Sequence, residues 1–340
     1  MNVFALTRSA CCAGALVTSV CGLLSGCGGG HSASSSSGVP ATSANAAVAE
    51  DGPLLGYVWS GSDQSLRPVM GVPGASQFGP SVIAPGTYLA AAASAQSGVA
   101  VLVDRSGDVS LMGLPAGSPQ PLAGVHVSGN AQIVFSPSGG AAVVFVAGQS
   151  AAYFLTGLSA STQAQVQVLS SPFAPVAMAV SDTGQVVAAT GASPTTLTLL
   201  TGNDARVATL GGFGGVAFLP GGSNLLAVDS VNSTLTLISS SAAPQNIASN
   251  AFRSPFAVAA SQDGRTAVVA NAGDASVVRI DLTNAANQMR IPCACQPDRL
   301  SALSGNAVFA LTGPGTVPAW MVDASASQPQ TLFIPAIVKQ

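Results

Sequence analysis

The fold of this chain is decided in residues 256–281, which read FAVAASQDGRTAVVANAGDASVVRID. The segment contains three short runs of apolar and β-branched residues, which are separated by Asp263-Gly264 and by Gly273-Asp274. An Asp-Gly pair between apolar runs indicates a tight hairpin turn, because both residues tolerate the positive φ that such a turn needs. The segment therefore predicts three consecutive antiparallel strands.

The same order of strands and turns recurs along the chain. It is clearest at 133–140, 177–200 and 216–238, and looser copies begin at Tyr88 and Leu300. A further copy lies upstream, since Glu50-Asp51-Gly52 matches Gln262-Asp263-Gly264 at an offset of 212 residues. Five units over that distance give a period of about 42 residues. The predicted units begin near residues 46, 88, 132, 176, 216, 257 and 300.

A period of about 40–45 residues with four short strands per unit is typical of a β-propeller blade. The sequence thus predicts an all-β chain, with a propeller of seven four-stranded blades in residues 46–340. Six blades preceded by a partial N-terminal blade is the alternative, because Ala46 to Ala49 forms a weak innermost strand. Stacked blades also explain a composition of 48% hydrophobic and 7% charged residues, against about 25% charged in an average domain.

One unit resembles a known bacterial repeat. Val268-Val269-Ala270-Asn271, Gly273 and the stretch from Val277 to Asp281 are similar to the YVTN-type propeller repeat. The resemblance extends loosely over residues 46–338 and is clearest in the third to sixth units. It implies a seven-bladed ring.

The N-terminus resembles the signal of a bacterial lipoprotein. Arg8 precedes an apolar stretch at 10–24 that is too short to span a bilayer comfortably. Leu24-Ser25-Gly26-Cys27 then matches the lipobox at all four positions. The resemblance implies removal of residues 1–26, acylation of Cys27 and anchoring of the protein to a membrane by that lipid. An ordinary signal peptide that happens to contain a cysteine is the alternative.

Residues 27–45 suit a tether between a lipid and a folded domain, because their Gly/Ser-rich composition favours flexible coil. Gly28 follows the predicted lipid-bearing cysteine, and in Gram-negative lipoproteins the absence of Asp at this position implies the outer membrane. We therefore expect an exported protein of the cell envelope, at the outer membrane if the cell is Gram-negative.

The charged residues exclude one class of partner and limit catalysis. Ten Lys and Arg against thirteen Asp and Glu give a net charge of −3, so no basic nucleic-acid surface is expected. Asp51, Asp182 and Asp263 occupy equivalent turns, where Asp accepts backbone N–H groups. Propeller lyases that resemble this repeat class use His and Glu around the channel. His126 is the only histidine of the predicted domain, and we expect it to be packed and hydrogen-bonded on a short strand rather than catalytic.

Cys293 and Cys295 remain once the signal and the lipidated cysteine are set aside. In an oxidising envelope they form either a tight disulfide or a reduced thiol pair, and a local structural staple is the favoured interpretation. Tyr57, Trp59 and Trp320 are expected in the core rather than against a ligand.

Two functional hypotheses follow. The first is a non-enzymatic binding or scaffolding propeller that takes a protein or glycan partner on one face or at the channel mouth. The second is an envelope enzyme, a lyase, a hydrolase or a thiol-redox protein, that uses the channel. The first is favoured, with no catalytic residue, no metal ligand and no cofactor predicted.

Overall fold

The computed structural model describes residues 52–159, 164–202, 205–325 and 327–337. Within these ranges 27 strands form seven antiparallel sheets that follow one another in chain order. The described part of the chain contains no helix suited to crossing a membrane. The predicted signal (1–26), Cys27, the rest of the tether (28–45), the weak strand at 46–49 and Asp51 lie outside the described residues.

Each sheet is one blade. Blade 1 contains β1 (Leu54–Ser60), β2 (Ser65–Val72) and β3 (Ala75–Phe78). Blade 2 contains β4 (Tyr88–Ser94), β5 (Val99–Asp104), β6 (Asp108–Gly113) and β7 (Gln120–His126). Blade 3 contains β8 (Ala131–Phe135), β9 (Ala141–Val146), β10 (Ala151–Thr156) and β11 (Gln165–Ser170). Blade 4 contains β12 (Pro175–Val180), β13 (Val186–Thr190), β14 (Thr195–Leu199) and β15 (Arg206–Leu210).

The remaining three blades are also four-stranded. Blade 5 contains β16 (Phe213–Phe218), β17 (Leu225–Asp229), β18 (Thr234–Ile238) and β19 (Gln245–Ser249). Blade 6 contains β20 (Pro255–Ala260), β21 (Thr266–Asn271), β22 (Ser276–Asp281) and β23 (Gln288–Pro292). Blade 7 contains β24 (Ser301–Ala302), β25 (Val308–Ala310), β26 (Ala319–Asp323) and β27 (Gln330–Ile334).

The prediction of a seven-bladed, all-β propeller is confirmed. The innermost strands of blades 2 to 7 begin within three residues of the starts that the 42-residue period predicts. The largest displacement is in blade 5, where β16 starts at Phe213 because Gly214 and Gly215 extend the strand through an irregular register.

Packing of both sheet faces explains why the strands lack an apolar–polar alternation. All six residues of β9 are buried. Ala142, Val144 and Val146 pack with blade 2, whereas Val143 and Phe145 pack with blade 4. Burying an aliphatic side chain contributes about 1.5–3 kcal/mol, so successive residues of one strand stabilise two different interfaces.

The ring has two distinct faces. The hairpin face is the side of the ring that carries the turns between the first and second strands of each blade, such as residues 136–140, 181–185 and 261–265. The linker face is the opposite side. It carries the connections between blades, such as residues 171–174, and the turns between the second and third strands, such as residues 230–233.

Blade 1 closes the ring against blade 7 by side-to-side packing. Leu55, Val58 and Val69 share one apolar cluster with residues of blade 7 that include Met321. At the linker face, Nη1 of Arg299 donates to the carbonyl oxygen of Trp59 at 2.7 Å. Blades 1 and 7 are separate sheets, so these side-chain contacts connect the two ends of the described chain.

Candidate functional site

A repeated β-bulge shapes the linker-face end of the central channel. The register shifts at the start of the innermost strand in blades 2, 4 and 6, where Leu89, Val176 and Phe256 are the unpaired residues. A bulge of this kind redirects a side chain away from the regular pleat. Leu89 and Val176 are each 40% exposed as a result.

Two of the bulged residues, Val176 and Phe256, line a cavity of about 260 Å³ that is formed by the innermost strands of blades 3 to 6. Val176, Phe213 and Phe256 are its largest apolar side chains, and Gln132 is the one residue with a polar side chain among those that line it. A larger cavity of about 380 Å³ lies at the outer rim between Gly74 and Phe333. The channel cavity is the better candidate site, because equivalent features of several blades converge there.

Asp229 fixes the turn that carries Val231, a further exposed apolar residue on the linker face. Its buried carboxylate accepts backbone N–H groups from Gly211 at 2.6 Å, and from Val231 and Asn232 at 3.0 Å. Burial would raise the pKa of Asp229, but these donors outweigh it and hold the pKa below its ordinary value. The fixed turn leaves Val231 63% exposed beside the interblade linker.

Phe173 and Val317 complete the set of exposed apolar residues on this face. Phe173 lies in the linker before blade 4 and is 65% exposed, and Val317 lies in the turn between β25 and β26. We call the following set the mouth surface: Leu89, Phe173, Val176, Val231 and Val317.

The mouth surface distinguishes the two faces of the ring. It holds five of the eleven large apolar side chains that are exposed in the described residues. Four of the others lie on outermost strands, and only Leu54 and Val72 lie beside the hairpin face, both in blade 1. These five residues come from four blades and one linker, so the mouth surface is a side of the ring that is richer in exposed apolar groups than the other side.

Asp182 lies in a turn of the hairpin face, but its bonds reach beyond that turn. Oδ1 accepts the N–H of Ser138 in blade 3, and Oδ2 accepts the N–H of Gly221 in blade 5, both at 2.8 Å. Burial raises the pKa of Asp182, and the two backbone donors lower it by more. One carboxylate therefore links three blades.

Asp263 in blade 6 makes a similar connection to Asn306 in blade 7. The N–H of Asp263 donates to Oδ1 of Asn306 at 2.9 Å, and the Asn306 amide donates back at 3.0 Å. The hydroxyl of Ser261 is the main cause that lowers the pKa of Asp263. The equivalent Asp51 lies outside the described residues.

His126 lies on a strand and makes a hydrogen bond, as expected, but the expectation that it is packed is wrong, because it is exposed. It ends the outermost strand of blade 2, with its side chain 57% exposed, because an outermost strand has no neighbouring sheet to cover it. Its Nδ1 lies 3.2 Å from a carboxylate oxygen of Asp108. This pair lies at the ring's circumference, away from the innermost strands that line the channel.

Cys293 and Cys295 are joined by a disulfide, with their Cα atoms 5.0 Å apart. They begin the linker between blades 6 and 7, and Cys293 packs in the apolar cluster shared by those blades. The N–H of Cys293 also donates to the carbonyl oxygen of Ala275 at 2.9 Å. Its role as a structural staple stays a prediction.

The three aromatic residues considered above belong to the packing of the blades. Tyr57 is buried, and Trp59 and Trp320 are half-buried against apolar clusters. The described residues contain no group of three His, Cys, Asp or Glu side chains placed to hold a metal ion.

Sequence reasoning missed the whole mouth surface. One local signal was available, since Val176 and Phe256 each directly follow a proline that starts an innermost strand. That signal does not reveal the bulge, because an apolar residue at this position is also what a buried strand would have.

Comparison with known proteins supports the fold alone. No family model and no curated protein sequence matches the chain. A functionally unknown protein from Desulfotomaculum acetoxidans has a similar structure, with a TM-score of 0.61 at 9% identity over 84% of this chain and 100% of that one.

Two further similar structures come from proteins of different kinds. Virginiamycin B lyase from Staphylococcus aureus has a TM-score of 0.53 at 12% identity, covering 75% of this chain and 85% of that one. A chain of the mitotic checkpoint complex has a TM-score of 0.52 at 12% identity, covering 71% and 78%. The β-propeller is thus shared by an enzyme and by a member of a protein assembly, and fold likeness does not choose between them.

Proposed function

We propose that this chain is an exported lipoprotein of the cell envelope, anchored through Cys27, whose propeller binds a protein partner on the mouth surface. The lipobox at Leu24-Ser25-Gly26-Cys27 and the tether at 27–45 support the anchor. The observation that carries the binding role is the set of exposed apolar side chains on a single face of a rigid ring.

A protein partner fits this surface better than a glycan does. Leu89, Val176, Val231 and Val317 are aliphatic, and they gain free energy when apolar surface of a partner excludes water. Sugar rings are commonly held by exposed aromatic rings, of which the mouth surface has only Phe173. Loops on a rigid frame are also the usual place for recognition.

Six of the acidic side chains are unsuited to general-acid catalysis. A general acid at neutral pH needs a raised pKa. Six carboxylates of the described residues have a lowered pKa, because backbone, hydroxyl or arginine donors stabilise their charged form: Asp63, Asp104, Asp182, Asp229, Asp263 and Asp281.

Membrane anchoring is tested by Cys27→Ser in the producing cell. The wild-type chain should stay in washed membranes and be released only by detergent, because several acyl chains together hold a protein stably. The variant should move to the soluble envelope fraction. Retention of Cys27→Ser in washed membranes would overturn the lipid anchor.

The mouth surface is tested by a double variant, Phe173→Asp with Val231→Asp. Tagged chains are isolated from detergent-solubilised envelopes, and co-purified proteins are quantified by mass spectrometry. We expect a partner of the wild type to fall at least tenfold with the double variant, because two anchors worth about 1.5–3 kcal/mol each are lost. Gln96→Asp with Asn224→Asp, two exposed residues in hairpin-face turns, is the matched control and should retain the partner. Equal recovery from both variants would contradict the assignment.

A further inference from the structure

The outermost strand of blade 3 has an unprotected edge. β11 pairs with β10 on its inner side and with no other strand of the described residues. Proteins protect such edges with proline, charged residues, bulges or short strands, because unpaired backbone groups invite a strand from another chain. β11 (Gln165–Ser170) has none of these features, since it holds no proline and no charged residue and pairs with β10 in an unbroken register.

The outermost strands of the other six blades each have at least one protective feature or are shorter. β7 contains Pro121, β23 contains Arg290, and the pairing of β7, β15 and β19 is interrupted by register shifts. β3 has four residues, and β27 has five and is followed directly by Pro335. β11 is therefore the longest outermost strand whose free edge is regular.

The backbone of β11 directs hydrogen-bonding groups toward that edge. The N–H of Ser171 donates to the carbonyl oxygen of Ser150 at 2.7 Å, and this pair continues the register between β10 and β11. Hydrogen-bonded pairs alternate along an antiparallel ladder, so every second residue of β11, counted back from Ser171, bonds to β10. The residues between them direct their N–H and C=O groups outward: Val166, Val168 and Ser170.

The chemistry of the edge suits a second copy of the same strand. Residues 127–181, which include all of blade 3, contain no Asp, Glu, Lys, Arg or His. Two identical edges can therefore meet without the like-charge repulsion that destabilises cross-strand pairs. Val166 and Val168 are 38% and 61% exposed, and they lie on the same side of the sheet because side chains alternate along a strand.

We propose that β11 pairs antiparallel with β11 of a second copy of this chain, about a two-fold axis at Gln167. This register places Val166 of each copy opposite Val168 of the other, so that four valines meet on one side of the joined sheet. Moving the axis to either valine would leave one valine pair instead of two.

The backbone pattern agrees with this register. Val166 and Val168 direct their groups outward, so the pair that they form between copies is hydrogen-bonded. The two Gln167 residues, whose groups bond to β10, face each other as a non-hydrogen-bonded pair. Two four-stranded blades thereby become one eight-stranded sheet. The two-fold axis closes the assembly at a dimer, and the interface lies on the circumference of the ring rather than on either face.

Disulfide crosslinking between copies tests both the partner and the register. The Cα atoms of a non-hydrogen-bonded pair lie about 4.5 Å apart, within the range that a disulfide spans. Gln167→Cys should therefore crosslink to its copy under mild oxidation. Gln165→Cys is the matched control, because it is equally exposed on the same strand but would lie about 13 Å from its copy along the strand.

We expect the crosslinked fraction of Gln167→Cys to exceed that of Gln165→Cys by at least about tenfold, because only the first pair lies within disulfide range. The chain without an added cysteine gives the background. Equal crosslinking of the two variants would overturn the register and with it the proposed pairing. No crosslinking of Gln167→Cys above background would overturn the dimer itself.

A second pair of variants tests strand pairing as the cause. In the Gln167→Cys chain, Val168→Pro removes an outward N–H without touching the bonds to β10, and such a proline is tolerated on an edge strand. It should abolish the crosslink, whereas Val168→Thr, which keeps the N–H and the β-branched shape, should retain it. Undiminished crosslinking with Val168→Pro would contradict the pairing. Light scattering of the wild-type chain should show a dimer, and a monomer or a series of larger species would contradict the closed two-fold assembly.

Discussion

Asp182→Asn is expected to destabilise the ring by uncoupling neighbouring blades. The aspartate uses both oxygens, one for the N–H of Ser138 in blade 3 and one for the N–H of Gly221 in blade 5, each at 2.8 Å. An asparagine keeps one acceptor and replaces the other by an NH₂ group, which cannot accept. One backbone N–H then loses its partner.

The magnitude follows from the bond that is lost. A hydrogen bond to a charged group contributes about 1.5–3 kcal/mol, and partial exposure of Asp182 places this one near the lower end. We expect a loss of about 2 kcal/mol in the free energy of unfolding at pH 7. For a domain of this size that corresponds to a fall of about 3 °C in the thermal midpoint.

The effect should depend on pH with a definite sign. Because the pKa of Asp182 is lowered in the folded state, its stabilising contribution is present above the unfolded value of about 3.9 and is lost as the pH falls through the folded pKa. The difference in the free energy of unfolding between wild type and Asp182→Asn should therefore shrink as the pH falls below about 4.

Thermal unfolding followed by circular dichroism at pH 7 and pH 3 measures both effects. Asp323→Asn is the matched control, because Asp323 accepts only from Ser325 within its own loop, and it should leave the midpoint nearly unchanged. Equal midpoints for the two variants at pH 7 would refute the interblade role of Asp182. A deficit that persists undiminished at pH 3 would refute the electrostatic explanation.

Three further substitutions test other parts of the account. Gly215→Ala should cost more than about 2 kcal/mol by denaturant unfolding, because φ is +126° and the added Cβ would lie 2.8 Å from the backbone nitrogen of Val258. Asp229→Ala should cost about 3 kcal/mol or more and accelerate proteolysis of the linker face, because several backbone N–H groups lose their acceptor. Replacing Cys293 and Cys295 by serine should cost only about 1–2 kcal/mol, since the closed loop is short, and an unchanged denaturation midpoint would argue against a staple.

The sequence predicts the fold well because its turns are chemically distinctive. Asp263-Gly264 and its equivalents mark each blade, and both-sided packing explains strands such as β9 that are apolar throughout. Small shifts arise where a bulge adds residues, as at Gly214 and Gly215. Such additions depend on the approach of a neighbouring blade, which a local pattern does not record.

The candidate site is much less predictable than the fold. Val176 is an ordinary apolar strand residue in the sequence, and only the bulge beside Pro175 exposes it. Asp182 was expected to serve its own turn, whereas its partners lie 44 and 39 residues away along the chain. The exposure of Val176 and the interblade hydrogen bonds of Asp182 both depend on how neighbouring blades pack.

The central claim, a propeller that binds its partner through the mouth surface, is tested most directly by photocrosslinking in intact cells. A photoreactive amino acid replaces Phe173 in one strain and Thr183 in another, and crosslinked products are compared by mass spectrometry. We expect one reproducible protein adduct from position 173 and none of that protein from position 183. The same adduct at equal yield from both positions, or from position 183 alone, would contradict it.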